Sequence, residues 1–147
     1  MATNLRAGVA RVTITPPIGI PMIGFVPPVQ AELAALRLGQ AIGLVTAPGE
    51  IFTEIGQCIV SRSPFRHTLY AGYTDGTIGY VPTRAAYAEG GYEVTHACRV
   101  APEAGEQIED ESVRLLRRVH GATCARAVEL RSRFSLAQRR TCDAPCW

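Results

Sequence analysis

Glu50 and the glycine-flanked tyrosines Tyr80 and Tyr92 are residues whose types could do chemistry. Tyr80 and Tyr92 lie in the stretch Asp75 to Val94, which also holds Tyr87, Pro82 and the glycines at 76, 79, 90 and 91. Glycine beside a tyrosine lets the backbone take positive φ or approach another group closely. Pro82 fixes φ two residues after Tyr80 and biases Val81 towards extended geometry. A tyrosine held in such a turn can aim its phenol at a fixed point. A turn-rich surface loop anchored by two aromatics would use the same residues. Glu50 follows Pro48-Gly49 at the expected junction of a strand end and a helix N-terminus, a common place for a functional side chain in α/β folds. A carboxylate there would also simply complement the helix dipole.

The elements that must position these residues follow from pattern. Residues 6–14 carry β-branched side chains at 9, 12, 13 and 14 and read as a strand. Residues 16–28 hold five prolines and two glycines among apolar residues, so they form no regular helix and must lie against something. Residues 29–38 have helix-favouring composition. The Gly39-Gln40 turn and the apolar run 41–46 instead point to a hairpin. Ile51, Ile55, Cys58 and Ile59 recur at helical spacing and predict a helix stopped by Ser63-Pro64. His67 to Tyr73 reads as a buried strand. Two parallel strands joined by the 51–62 helix form a βαβ unit, whose crossover leaves both strand C-termini on one edge. That order predicts Glu50 and Tyr80 side by side. Thr83 to Glu89 reads as a short helix capped by Thr83, and 92–95 as extended. Residues 102–120 form the strongest helix, with early acids, late arginines and an apolar face of Ile108, Leu115, Leu116 and Val119.

Several sequence blocks resemble the neutral/alkaline (non-lysosomal) ceramidase family. They are Ala7 to Met22, Pro48-Gly49-Glu50, Ser63-Pro64-Phe65, Gly79-Tyr80-Val81-Pro82-Thr83 and Glu89-Gly90-Gly91-Tyr92-Glu93, in the family's order and covering most of residues 5–119. The resemblance implies a ceramidase-like amide hydrolase that splits ceramide, or another lipid N-acyl amide, into sphingosine and fatty acid. It implies a zinc ion held by two histidines, a glutamate and a tyrosine; zinc polarises the carbonyl and acidifies bound water. By motif, Glu50 and Tyr80 match metal ligands, and Tyr92 matches a catalytic tyrosine that donates to the developing oxyanion. The family's His-rich motif and serine segment have no counterpart, because residues 5–26 join directly to 29–121. Three origins fit this join: an internal deletion, a reduced paralogue and a faulty gene model. His67 and His96 are the candidate replacement ligands, although an isolated histidine is more often structural.

The implied fold class is α/β, with a small mixed sheet and two main helices in a domain spanning 1–121. Residues 122–147 read as a weakly ordered tail. The 147 residues suit one domain able to bury a core, and 47% hydrophobic with 19% charged residues describes a globular chain rather than a disordered one. A net charge of +2 gives no case for nucleic acid; all fifteen basic residues are arginine. Five dispersed cysteines make a poor disulfide framework, and Cys142 with Cys146 is at most half a metal site. No apolar run reaches the ~20 residues of a membrane span, and no signal-peptide layout opens the sequence, so a cytoplasmic location is expected. The apolar 16–28 segment makes a homo-oligomer the expected assembly if the chain is a non-catalytic module.

Overall fold

The structure, a computed structural model, describes residues 7–13, 32–122 and 128–129. The 16–28 segment and most of the 122–147 tail, including Cys142, Cys146 and Trp147, lie outside these residues.

Strands β1 (Ala7–Thr13), β2 (Glu32–Leu38) and β3 (Ile42–Thr46) are consecutive antiparallel neighbours. The β2–β3 hairpin forms although Glu-Leu-Ala-Ala-Leu-Arg-Leu would suit a helix. Pairing on both sides decides the outcome: Leu33, Ala35 and Arg37 alternate into the core at the period of a strand. Residues 39–41 make the turn, one more than expected, with Gly39 at φ 63.

Helix α1 (Thr53–Ser61) then crosses to β5 (His67–Ala71), which pairs parallel with β3. This is the βαβ unit read from the sequence. Helix α1 begins later than its apolar pattern suggested, because Glu50 and Ile51 form a short strand, β4. Ile55 and Ile59 are buried and Val60 is exposed. The five-stranded sheet has the order β5-β3-β2-β1-β7, with Val128–Glu129 as β7 parallel to β1. The fold is α/β with a small mixed sheet.

Strand β5 corrects one expectation. It reads as buried, yet it is the sheet edge among the described residues, and Leu69 is 59% exposed. Its apolar composition reflects one covered face, where Gly56 of α1 leaves room for the Tyr70 ring.

Helix α4 (Ala104–Gly121) packs across β1, β2 and β3. Ile108, Leu115, Leu116 and Val119 are buried as its periodicity requires. Each such side chain stabilises the fold by about 1.5–3 kcal/mol. Arg37 is only 2% exposed, and its guanidinium donates to the His120 carbonyl at 3.1 Å. A buried cation thus satisfies the C-terminal end of α4. Helices α1 and α4 are also joined by Arg62 to Asp110 at 2.6 Å.

Candidate functional site

The site lies on a second, two-stranded sheet rather than on the main one. Strand β6 (Tyr80–Val81) pairs parallel with β4 (Glu50–Ile51), and Glu50 is the direct partner of Tyr80. The ladder is short but closely held. The Glu50 amide donates to the Gly79 carbonyl at 3.0 Å, and the Phe52 amide to the Val81 carbonyl at 3.1 Å. Gly49 has φ 93, and a Cβ there would lie 2.5 Å from the Gly79 carbonyl oxygen. Only glycine allows the two backbones to meet this way.

Phenol chemistry follows from that pairing. Hydrogen bonding to the Glu50 carboxylate, followed by desolvation and the charges of Glu50, Tyr73 and Glu93, pushes the Tyr80 phenol up to about 12. Burial and anionic neighbours both disfavour the phenolate. Tyr73 is shifted upward chiefly by hydrogen bonding to the same carboxylate. The Glu50 carboxylate is the leading cause of both shifts.

Tyr92 completes the group from the other side. It opens α3 (Tyr92–Thr95), a single helical turn where extended chain was expected. Gly91, at φ 97, turns the backbone, and its carbonyl then accepts from the Thr95 amide at 2.9 Å and the Thr95 hydroxyl at 2.7 Å. These local bonds outweigh the strand preference of Val94 and Thr95. The Tyr92 ring is 64% exposed and stands edge-on to Tyr80, centroids 6.4 Å apart and planes at 82°. His96 stacks on Tyr92 at 6.0 Å. Thr83 accepts from the Ala86 amide at 3.3 Å at the start of α2 (Ala86–Glu89), and Tyr87 donates to the Val100 carbonyl at 3.0 Å. Tyr87 is thus built into the scaffold beneath the site.

The three residues singled out from sequence come together. The candidate replacement histidines form no three-ligand metal cluster with Glu50 among the described residues. His67 begins β5, whereas the site follows the opposite end of that strand, and His96 is held against Tyr92. Tyr73 was missed. Its signal was weak but present: Gly72-Tyr73-Thr74-Asp75-Gly76 is a turn at the end of β5, as Gly79-Tyr80 is beside it. Tyr73 has φ 58, a left-handed conformation that costs a residue with a Cβ about 1–2 kcal/mol.

A separate cleft of about 450 Å³ lies between α1 and β5, lined by Ile51, Gly56, Val60 and Tyr70 among others. None of Glu50, Tyr80 and Tyr92 lines it. Burial pushes the Tyr70 phenol up, and its hydroxyl has no hydrogen-bond partner among the described residues.

No family model matches the chain, and no curated protein matches it. Among solved structures, the chain is similar to neutral ceramidase from Pseudomonas aeruginosa, at 29% identity and a TM-score of 0.47. The match covers 69% of this chain and 18% of that one. A ceramidase complexed with C2 is similar to the same degree, 29% identical with a TM-score of 0.47, over 69% of this chain and 17% of that one. The chain therefore spans less than a fifth of the length of these proteins.

The implied zinc can be tested against the residues present. Glu50 and Tyr80 bring two oxygen donors, and no three His, Cys, Asp or Glu side chains cluster for a metal among the described residues. Zinc sites use at least three protein ligands. The described residues do not fit a zinc ion by themselves. Among them, no helix is long and apolar enough to cross a membrane.

Proposed function

We propose that this chain supplies the carboxylate–tyrosine wall of a ceramidase-like amide hydrolase site. The observation that supports this reading is the register pairing of Glu50 with Tyr80, with Tyr92 edge-on to Tyr80. These are the three positions that match the ceramidase motifs. The substrate class is a lipid N-acyl amide, ceramide by resemblance.

Each residue has a role that its surroundings support. Glu50 is the direct strand partner of Tyr80 and, with about four lone-pair sites on a carboxylate, has capacity for an amide N–H or a water. Tyr80, held protonated, fixes the carboxylate. Tyr92, exposed at the rim, donates to the amide oxygen as negative charge grows there. A comparable oxyanion donor is worth about 2.7–4 kcal/mol in other enzymes.

A non-catalytic α/β module is the second reading, favoured because no third metal ligand joins the site among the described residues. One experiment separates the two. The purified chain is incubated at high concentration with a fluorogenic short-chain N-acyl amide, with and without added zinc, beside Glu50→Gln, Tyr80→Phe and Tyr92→Phe. The hydrolase reading expects slow cleavage that all three substitutions reduce. No cleavage and no binding of the amide under any condition would leave the non-catalytic module.

A further inference from the structure

We infer that Tyr87 is a positioning residue of this site: its hydroxyl closes the 88–99 loop onto Val100 and so sets the Tyr92 ring against Tyr80. The role rests on the site reading above and adds to it a tyrosine that acts through Tyr92.

Tyr92 is carried on a loop with two anchored ends. The first is α2, which holds Tyr87 and closes with the Gly90 amide donating to the Ala86 carbonyl at 3.1 Å. Gly90 and Gly91, at φ 80 and 97, then turn the chain into α3. The second end leaves α3 tightly, with the His96 and Ala97 amides donating to the Tyr92 carbonyl at 3.0 and 3.1 Å. It then runs into Cys98 and Val100, both buried.

The Tyr87 phenol joins these two ends. Its hydroxyl donates to the Val100 carbonyl at 3.0 Å and lies 3.1 Å from the Cys98 sulfur. A phenol has a single proton to give. With that proton on Val100, the Cys98 thiol is the donor in the second contact. The phenolic oxygen therefore gives one hydrogen bond and receives another, and both partners lie on the same short segment. The Tyr87 ring packs against the hydrophobic core, so the anchor itself is held by packing.

That segment is also the outer neighbour of β6. The Tyr80 amide donates to the Ala97 carbonyl at 3.3 Å, and Cys98 bridges to both Gly79 and Tyr80. A Cβ on Gly79 would lie 2.8 Å from the Ala97 carbonyl oxygen, so the two backbones meet as closely as glycine permits. The Tyr87 hydroxyl thus ties the element before Tyr92 to the segment that pairs with Tyr80.

The consequence is a fixed relation between two phenols. The Tyr92 ring is largely exposed and has little packing to hold it. Its edge-on placement, 6.4 Å from the Tyr80 centroid, depends on the loop that carries it. A misplacement of about 1 Å can cost a reaction about 100-fold, so an oxyanion donor on an unclosed loop would be a poor one.

The test uses fluorine NMR of the full chain labelled with 3-fluorotyrosine. Tyr87→Phe keeps the ring and removes only the hydroxyl. It is expected to move the Tyr80 and Tyr92 resonances while the amide resonances of β1 and β2 stay in place. Tyr70→Phe, which removes a hydroxyl from the other side of the molecule, is expected to move neither. Unmoved Tyr80 and Tyr92 resonances in Tyr87→Phe would overturn the proposal. Should Tyr87→Phe not fold, Cys98→Ala takes its place: movement of both resonances supports the closure, and an unmoved pair overturns it. Where amide cleavage is measurable, Tyr87→Phe should lower kcat about tenfold with KM nearly unchanged. A rise in KM with kcat intact would overturn the positioning role. Resonances that move as expected in a chain without cleavage would sink the hydrolase reading and keep the closure by Tyr87.

Discussion

The sheet-and-α4 half of the molecule and the tyrosine rim are held by different means. In the first, long elements bury large side chains: Leu33, Ile108, Leu115 and Leu116 are essentially inaccessible. In the second, elements of two to four residues are fixed by close backbone approach at Gly49 and Gly79 and by hydrogen bonds to turns. Packing gives the first half its stability, whereas the rim's geometry depends on a few positions that tolerate no side chain. The two are joined where Arg84 reaches α4, its Nε and Nη2 forming a fork on Glu106 at 2.7 and 2.6 Å. The candidate site residues thus sit on the part with less buried surface, placed by the part with more.

Substitutions can break this contrast in graded steps. Leu116→Ala should have the largest effect, costing about 2–5 kcal/mol in denaturant unfolding, with fold and rim lost together. Gly49→Ala should come next, at more than about 1 kcal/mol, because the new Cβ meets the Gly79 carbonyl oxygen. It should perturb the amide resonances of residues 49–52 and 79–82 while those of β1 and β2 stay in place.

Arg84→Ala should have the smallest effect on stability, since the pair is exposed. The Arg84 guanidinium lowers the Glu106 carboxyl below its ordinary value. Its contribution is therefore complete above the usual glutamate range and lost as pH falls through the depressed value. Melting curves from neutral to acid pH should converge for wild type and Arg84→Ala, and high salt should also bring them together. A gap that persists in acid would assign Arg84 another role.

Much of this was legible in the sequence. Helices α1 and α4 carry a period long enough to read, β1 shows in its β-branched residues and the hairpin in its Gly39-Gln40 turn, and the order strand–helix–strand predicted the meeting of Glu50 and Tyr80. The parts that were not legible share a physical cause. Strands β4 and β6 have two residues each, too few for any alternation to show. In 92–95 the β-branched Val94 and Thr95 suggest extended chain, while the helical turn comes from Gly91 and the Thr95 hydroxyl. The exposure of β5 depends on its place at the sheet edge, which no local pattern encodes. The histidines teach the converse: His67 and His96 were candidates by type alone, and the fold sets His67 at the far end of β5 and His96 against Tyr92.

The adjacency of Glu50 and Tyr80 is tested most directly by tyrosine ring-carbon NMR across alkaline pH, in wild type and Glu50→Gln. A phenol raised by folding stabilises the native state fully below its ordinary pKa of 10.0 and loses that contribution as pH rises through about 12. Tyr80 should titrate at about 12 in wild type and fall back towards 10.0 when Glu50 is replaced. An unchanged Tyr80 titration in Glu50→Gln would mean that the carboxylate and the phenol do not meet.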